Sequence, residues 1–336
     1  MRINHFDTSE QPLVIAEIGN NHEGDVAMAR RLVRQAAVCG AQAVKFQTFR
    51  TERFANPCDA ERYERMKRFE LAQDEFRELH DLARSLNLLF LSTPLDLESA
   101  HFLVPLVDAF KIASGDNNFY PLLEVVAGSG KPVIISTGVS DWQQIHQSKS
   151  FIENQWQQKQ HVGELAVLHC VSNYPVADEN ANLAVISQMQ QQLDCEIGYS
   201  DHTIGLDACM IAVALGARII EKHFTLDHNY SDFRDHQMSA DPPELTELVD
   251  KVAKTGRLMG GPDKCILESE ADVQPVLRRS IVAAHPMESG HEVTSDDLMW
   301  LRPADGLAPG SETLVLGKKL NRALSTGEAI QLKDVA

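Results

Sequence analysis

The chain has 336 residues, with 31 Lys+Arg against 48 Asp+Glu and a formal net charge of -17. Hydrophobic residues at 43% and charged residues at 24% form an ordinary globular balance, which excludes wholesale disorder. The acidic excess disfavours nucleic-acid binding, and no run approaches the ~20 apolar residues of a membrane span.

Residues 1–11 lack the apolar stretch of a signal peptide, and the six cysteines include no C-x-x-C pair. Such scattered thiols read as reduced, so the expected location is the cytoplasm. Short apolar runs then recur at 13–18, 43–48, 88–93, 109–113, 132–137, 165–170, 196–199 and 218–224. Amphipathic stretches at 25–39, 73–86, 120–128, 142–155, 181–192 and 206–215 separate them. This alternation predicts a parallel sheet covered by helices, and eight units predict a closed (β/α)8 TIM barrel. A doubly wound open sheet is the rival, without its dinucleotide form because no G-x-G-x-x-G follows the first strand. A helix at 243–257 would close the barrel before the breaker cluster Met259-Gly260-Gly261-Pro262. The expected organisation is a barrel over 1–262, a linker over 263–278 and a small β-rich module over 279–336. A module of that size is expected to dock on the barrel or on a partner subunit.

Polar residues gather at the C-terminal ends of these strands, where active sites of such barrels form. Glu17, Lys45, Gln47, Thr93, Lys111, Ser114, Asp116, Ser136, Ser172, Tyr174, Ser200, His202, Glu221 and His223 all fall there. Lys45 and Lys111 sit in apolar strands, where an unpaired ammonium is costly. Either they pair with Glu17 or Glu221, or they bind an anionic ligand beside the hydroxyls of Ser92, Thr93, Ser114, Ser136 and Thr137. His202 and His223 end adjacent strands and could share one metal ion, with Mn²⁺, Co²⁺, Fe²⁺ or Zn²⁺ suiting imidazole better than Mg²⁺. His22 and Glu23 could close a loop or take part in catalysis. The segment 227–241, with Asp235 and His236, reads as a solvated loop or as a lid over substrate.

At these residues the sequence resembles the sialic acid synthase (N-acetylneuraminate synthase) family. The carriers include Ile15-Ala16-Glu17-Ile18-Gly19, Asn21-His22-Glu23-Gly24, Lys45-Phe46-Gln47-Thr48, Phe90-Leu91-Ser92-Thr93-Pro94 and Lys111-Ile112-Ala113-Ser114-Gly115. Further along come Ile134-Ile135-Ser136-Thr137-Gly138, Leu168-His169-Cys170, Tyr174-Pro175, Ser200-Asp201-His202-Thr203 and Glu221-Lys222-His223-Phe224. The C-terminal segment is similar to the family's antifreeze-protein-like (SAF) domain through Arg279-Ser280, Leu301-Arg302-Pro303 and Leu316-Gly317-Lys318-Lys319.

The resemblance implies a transferase that condenses phosphoenolpyruvate with an N-acetylated amino sugar to a nonulosonic acid and phosphate. It implies phosphoenolpyruvate at Lys45, Thr93, Lys111, Ser114, Ser136, Ser172 and Ser200. The divalent metal, Mn²⁺ with Mg²⁺ or Co²⁺ as substitutes, would lie at His202 and His223. Sugar contacts would come from Glu17, Gln47, Asp116, Tyr174 and Asp235, and Arg302 would enter the neighbouring subunit's mouth in a domain-swapped homodimer. Glu17, Glu221 or Asp235 would handle protons or water. Departures fall on the sugar side: Asp116 stands where the family often has Glu, Ser172 where some members have Asn, and Phe49 where some have His. Residues 232–236 replace a Gly-Pro-Asp lid and add Arg234. The acceptor therefore stays open among N-acetylmannosamine, a 2,4-diacetamido hexose leading to legionaminic acid, and its pseudaminic counterpart. A metal-dependent aldolase on the same barrel is the competing activity.

Overall fold

Eight parallel strands close into one barrel, each beside its neighbours in chain order and the last beside the first. They are β1 (Leu13–Gly19), β2 (Ala43–Thr48), β3 (Leu89–Pro94), β4 (Ala109–Ile112), β5 (Val133–Ser136), β6 (Leu165–Cys170), β7 (Glu196–Asp201) and β8 (Ile219–His223). Closure comes from β8 against β1, where His223 pairs with Glu17. The open-sheet rival is thereby excluded. Several loops turn into helices at an aspartate: Asp25, Asp96, Asp141 and Asp241 each accept a backbone N–H of the first helical turn. The helix Pro242–Met259 follows β8 and packs against β1 and the helix Asp207–Ala214. The computed structural model describes residues 1–261 and 263–336. The expected barrel limit falls on Pro262, outside the described residues.

Strand periodicity of two explains how this fold makes a site. The lower inward positions are apolar: Leu13 and Ile15 on β1, Ala43 on β2, Leu89 and Leu91 on β3, Ile134 on β5, Ala166 and Leu168 on β6, and Ile219 on β8. Continuing each alternation by two residues brings Glu17, Lys45, Thr93, Ser136, Cys170 and Glu221 inward on the same strands. A short N-terminal hairpin, Arg2–Ile3 with Phe6–Asp7, sets Ile3 and Phe6 against the apolar layer. The opposite face of the strands carries Phe46, Phe90, Phe110 and Ile112 into the layer beneath the helices.

The described residues separate into two compact units, Met1–Gly260 and Gly261–Ala336. In the second unit, β9 (Ser280–Ala283) pairs antiparallel with β10 (Leu298–Leu301). Its own core comprises Ile281, Ala283, Met287, Val293, Leu298, Val315, Leu320, Leu324, Ile330 and Val335. Arg322 ties this unit together through Asp334 and Glu328. No helix among the described residues is long and apolar enough to cross a membrane.

Candidate active site

Four charged side chains meet at the level where the apolar layer stops. Lys45 Nζ lies 2.8 Å from Glu17 Oε2 and 3.8 Å from Glu221 Oε2, while Lys111 Nζ lies 3.5 Å from Glu221 Oε1. All four are buried. The ion-pair alternative for the lysines is therefore present in the ligand-free protein. Burial depresses the Lys45 pKa, but the Glu17 and Glu221 charges outweigh it and hold the ammonium above its usual range. For Lys111 burial wins and the pKa falls, with Glu221 the chief opposing charge. Burial also raises the Glu17 carboxyl, helped by Glu221, whereas Lys111 and Lys45 overcome the burial of Glu221 and keep it ionised.

Around this quartet, Thr93 Oγ1 accepts from Lys45 Nζ at 3.1 Å, and Ser200 Oγ donates to Glu221 Oε1 at 2.9 Å. Ser114 Oγ accepts from the Gly138 N–H at 3.0 Å. A Cβ at Gly138 would stand 2.8 Å from Ser114 Oγ and would collide with Ser172 Oγ. The bare glycine thus leaves a polar hollow between two hydroxyls. Ser136 Oγ is buried with no hydrogen-bond partner. Two expected cradle members belong elsewhere, because Thr137 Oγ1 donates to the Leu168 carbonyl at 2.9 Å and Ser92 Oγ is engaged with Thr48 and the Phe46 carbonyl.

The rings of His202 and His223 lie 5.4 Å apart, centroid to centroid. His202 Nδ1 donates to the Val171 carbonyl at 2.8 Å, which leaves Nε2 uncommitted. Burial opposes the ring's charge, but Cys170, the Val171 carbonyl and Glu221 outweigh it and raise its pKa. His223 Nδ1 is buried without a hydrogen bond, 4.0 Å from Asp235 Oδ2. Burial, reinforced by His202 and Lys45, pushes the His223 pKa well down, so its imidazole is neutral as metal ligation requires. Among the described residues one trio of His, Asp and Glu gathers more tightly: His228, Asp241 and Glu244. That trio is already used, since Asp241 and Glu244 form the capping box of the helix Pro242–Met259.

The outer part of the mouth is a cavity of about 880 Å³, whose lining includes Asn20, Gln47, Tyr174, His223 and Asp235. Tyr174 lies over His202, 4.2 Å between centroids, and the Arg234 guanidinium carbon is 4.8 Å from the Tyr174 ring. Gln47 Oε1 accepts from Asn20 Nδ2 at 2.9 Å, and Asn20 Oδ1 is left buried and unpartnered. Asp116 sits on the turn Ser114–Asp116 after β4, outside this lining. Arg302 is exposed in the second unit, directly after β10.

The expectation of a solvated loop over 227–241 is corrected. A short helix, Asp235–Met238, buries Asp235, His236 and Met238. His236 Nδ1 is paired with Thr225 Oγ1 at 2.7 Å, and its Nε2 lies 3.1 Å from Glu23 Oε1. Glu23 therefore holds this segment from the loop after β1. His22 has a structural role: its Nδ1 accepts from the Gly24 N–H at 3.0 Å, and burial lowers its pKa to about 4. The unfolded chain, near 6.5, takes up a proton first as pH falls, so stability drops through the window from about 6.5 to about 4. Between pH 7 and pH 5 this residue is expected to remove about 2 kcal/mol, and urea unfolding of the wild type against His22→Asn measures it. Identical pH slopes in the two proteins would refute the assignment.

Sequence reading missed Phe54, Phe69 and the arginines Arg62, Arg65 and Arg68, all of which line the cavity. The arginines stand on the helix Ala60–Phe69, whose spacing Arg-x-x-Arg-x-x-Arg was the available signal.

A parallel eight-stranded barrel with a polar C-terminal mouth, joined to a small β unit, defines a two-part enzyme scaffold. Residues 32–264 match the NeuB family and residues 278–336 match the SAF domain, so the chain belongs to the NeuB family. An uncharacterised protein of Methanocaldococcus jannaschii is 41% identical over 97% of this chain and 95% of its own length. The N,N'-diacetyllegionaminic acid synthase of Legionella pneumophila is 34% identical over 94% of this chain and 92% of its own. Among solved structures, the N-acetylneuraminic acid synthetase of Leptospira borgpetersenii, in complex with citrate, superposes with a TM-score of 0.75. It is 33% identical and covers 81% of this chain and 94% of that one.

Proposed function

We propose that this protein is a nonulosonic acid synthase of the transferase type, condensing phosphoenolpyruvate with the open-chain form of N-acetylmannosamine or of a 2,4-diacetamido hexose. The observation that carries the reading is the meeting of Lys45 and Lys111 with the His202–His223 pair and the unpartnered Ser136 Oγ in one buried mouth. Lys45 and Lys111 neutralise the phosphate and carboxylate of phosphoenolpyruvate, and Thr93, Ser114, Ser136, Ser172 and Ser200 direct it. Gln47, Tyr174 and Asp235 hold the sugar, with Arg302 supplied by the neighbouring subunit of a domain-swapped homodimer. His202 and His223 would hold a divalent ion, Mn²⁺ or a substitute, which when bound polarises the aldehyde oxygen.

C3 of phosphoenolpyruvate bonds to the aldehyde carbon, and water adds to C2. Glu221, kept ionised by Lys111 and Lys45, takes the proton of that water. Once phosphoenolpyruvate claims Lys45, the Glu17 carboxyl, raised by burial, takes up a proton and gives it to the new alkoxide. The C2–O bond to phosphate then breaks as the C2 hydroxyl passes its proton to the leaving phosphate, giving a 2-keto acid and inorganic phosphate. Holding two reactants in register supplies much of the acceleration.

Mass spectrometry of products from phosphoenolpyruvate, Mn²⁺ and a panel of acetamido sugars, run beside a phosphate assay, tests the reading. The expected product has the mass of the sugar plus the pyruvyl unit, with one phosphate released per product. Consumption of pyruvate without phosphate release would instead identify an aldolase.

A further inference from the structure

We infer that the acceptor sugar carries a phosphate on its terminal carbon, held by Arg62, Arg65, Arg68 and Arg234; this rests on the synthase reading above. All four line the outer cavity. The first three recur at three-residue intervals on the helix Ala60–Phe69, which anchors itself through buried Met66 and Phe69. The chain as a whole is strongly acidic, at -17, so this concentration of guanidinium groups runs against the composition.

Among the described residues, Asp235 is the one acidic residue of the cavity lining that pairs with any of these arginines, namely Arg234. Glu23 is occupied by Ser231 and His236. Asp235 lies 3.5 Å from Arg234 Nε and 4.0 Å from His223. Asp232 is exposed and joins no ion pair among the described residues. Arg65 pairs with Glu61 at 3.7 Å along its own helix, where Glu61 is 92% exposed and water screens it. Arg62 rests on the Phe54 ring at 5.5 Å, and neither it nor Arg68 meets a carboxylate among the described residues. Planar guanidinium groups suit the bidentate recognition of a phosphate dianion.

This anion is distinct from phosphoenolpyruvate, whose lysines and hydroxyls lie outside the cavity lining. Chemistry then fixes where it sits on the acceptor. The aldehyde end must be free to react, which excludes a nucleotide or phosphate on C1. A terminal phosphomonoester satisfies both conditions, and a 6-deoxy sugar cannot carry one. A volume of about 880 Å³ accommodates the enlarged acceptor within the usual range of small-molecule sites.

The test pairs each of N-acetylmannosamine, N-acetylglucosamine and N-acetylgalactosamine with its 6-phosphate on the Mn²⁺-loaded full chain. Calorimetric titration with phosphoenolpyruvate present reads binding, and phosphate release reads turnover. At least one phosphorylated sugar is expected to bind about 100-fold more tightly than its neutral parent. That ratio is expected to fall about tenfold or more in Arg62→Gln/Arg65→Gln and to shrink as salt rises. Equal binding across every pair, or an unchanged ratio in the double variant, overturns the inference. Turnover confined to neutral sugars overturns it while leaving the synthase reading intact. Phosphorylated sugars that bind without any phosphate release uphold the arginine site and sink the synthase reading instead.

Discussion

Alanine at His223 is expected to lower turnover by at least ~10³-fold and to abolish tight Mn²⁺ binding. The expectation follows from how few donors are free at the mouth. His202 commits Nδ1 to the Val171 carbonyl and has one nitrogen left, while His223 Nδ1 is buried with no partner at all. Loss of either imidazole leaves one nitrogen to hold the ion, and Lewis-acid stabilisation of a developing alkoxide is worth several kcal/mol, about three decades in rate. Mn²⁺ titration followed by calorimetry, with circular dichroism to confirm folding, gives the measurement. A folded variant that binds Mn²⁺ as the wild type does would place the ion elsewhere, with His228, Asp241 and Glu244 the next donors to examine.

Methionine at Lys111 is expected to cost about 10²- to 10⁴-fold in kcat/KM for phosphoenolpyruvate, with a smaller effect on the sugar KM. Lys111 has one carboxylate within ion-pair distance, Glu221 at 3.5 Å, and burial lowers its pKa. A depressed ammonium pKa means its charge is lost earlier as pH rises. The wild-type kcat/KM for phosphoenolpyruvate should therefore fall on the alkaline side before the ordinary lysine value of about 10.4. Lys45, held charged by Glu17 at 2.8 Å, should not produce that limb. In Lys111→Met the alkaline limb should vanish along with the rate. Rate profiles from about pH 6 to about pH 10 decide the matter, and an unchanged limb in the variant would assign it to another group.

The barrel was legible because parallel strands buried on both faces leave continuous apolar runs, and β1 through β8 are such runs. Their C-terminal polar residues were legible too, since alternation carries an inward apolar position to an inward polar one two residues later. Whether Lys45 and Lys111 meet carboxylates was not legible, because pairing depends on where neighbouring strands end across the barrel. The helix Ala60–Phe69 escaped notice for a compositional reason. Apart from Ala60, Tyr63, Met66 and Phe69 it is wholly charged, a pattern shared by solvated loops. Residues 227–241 misled similarly: nothing local announces that Glu23, more than 200 positions earlier, meets His236.

The layering of the barrel also bears on how this protein can change. Ile3, Phe6 and the inward Leu and Ile residues form a floor that touches no candidate ligand, and the reactive groups occupy the storey above it. Cohesion and chemistry are thus assigned to different heights along one axis. A substitution at the floor bears on folding, and selectivity is set by residues at the rim. The scaffold can accordingly exchange one acceptor for another by rewriting its rim while the foundations stay as they are.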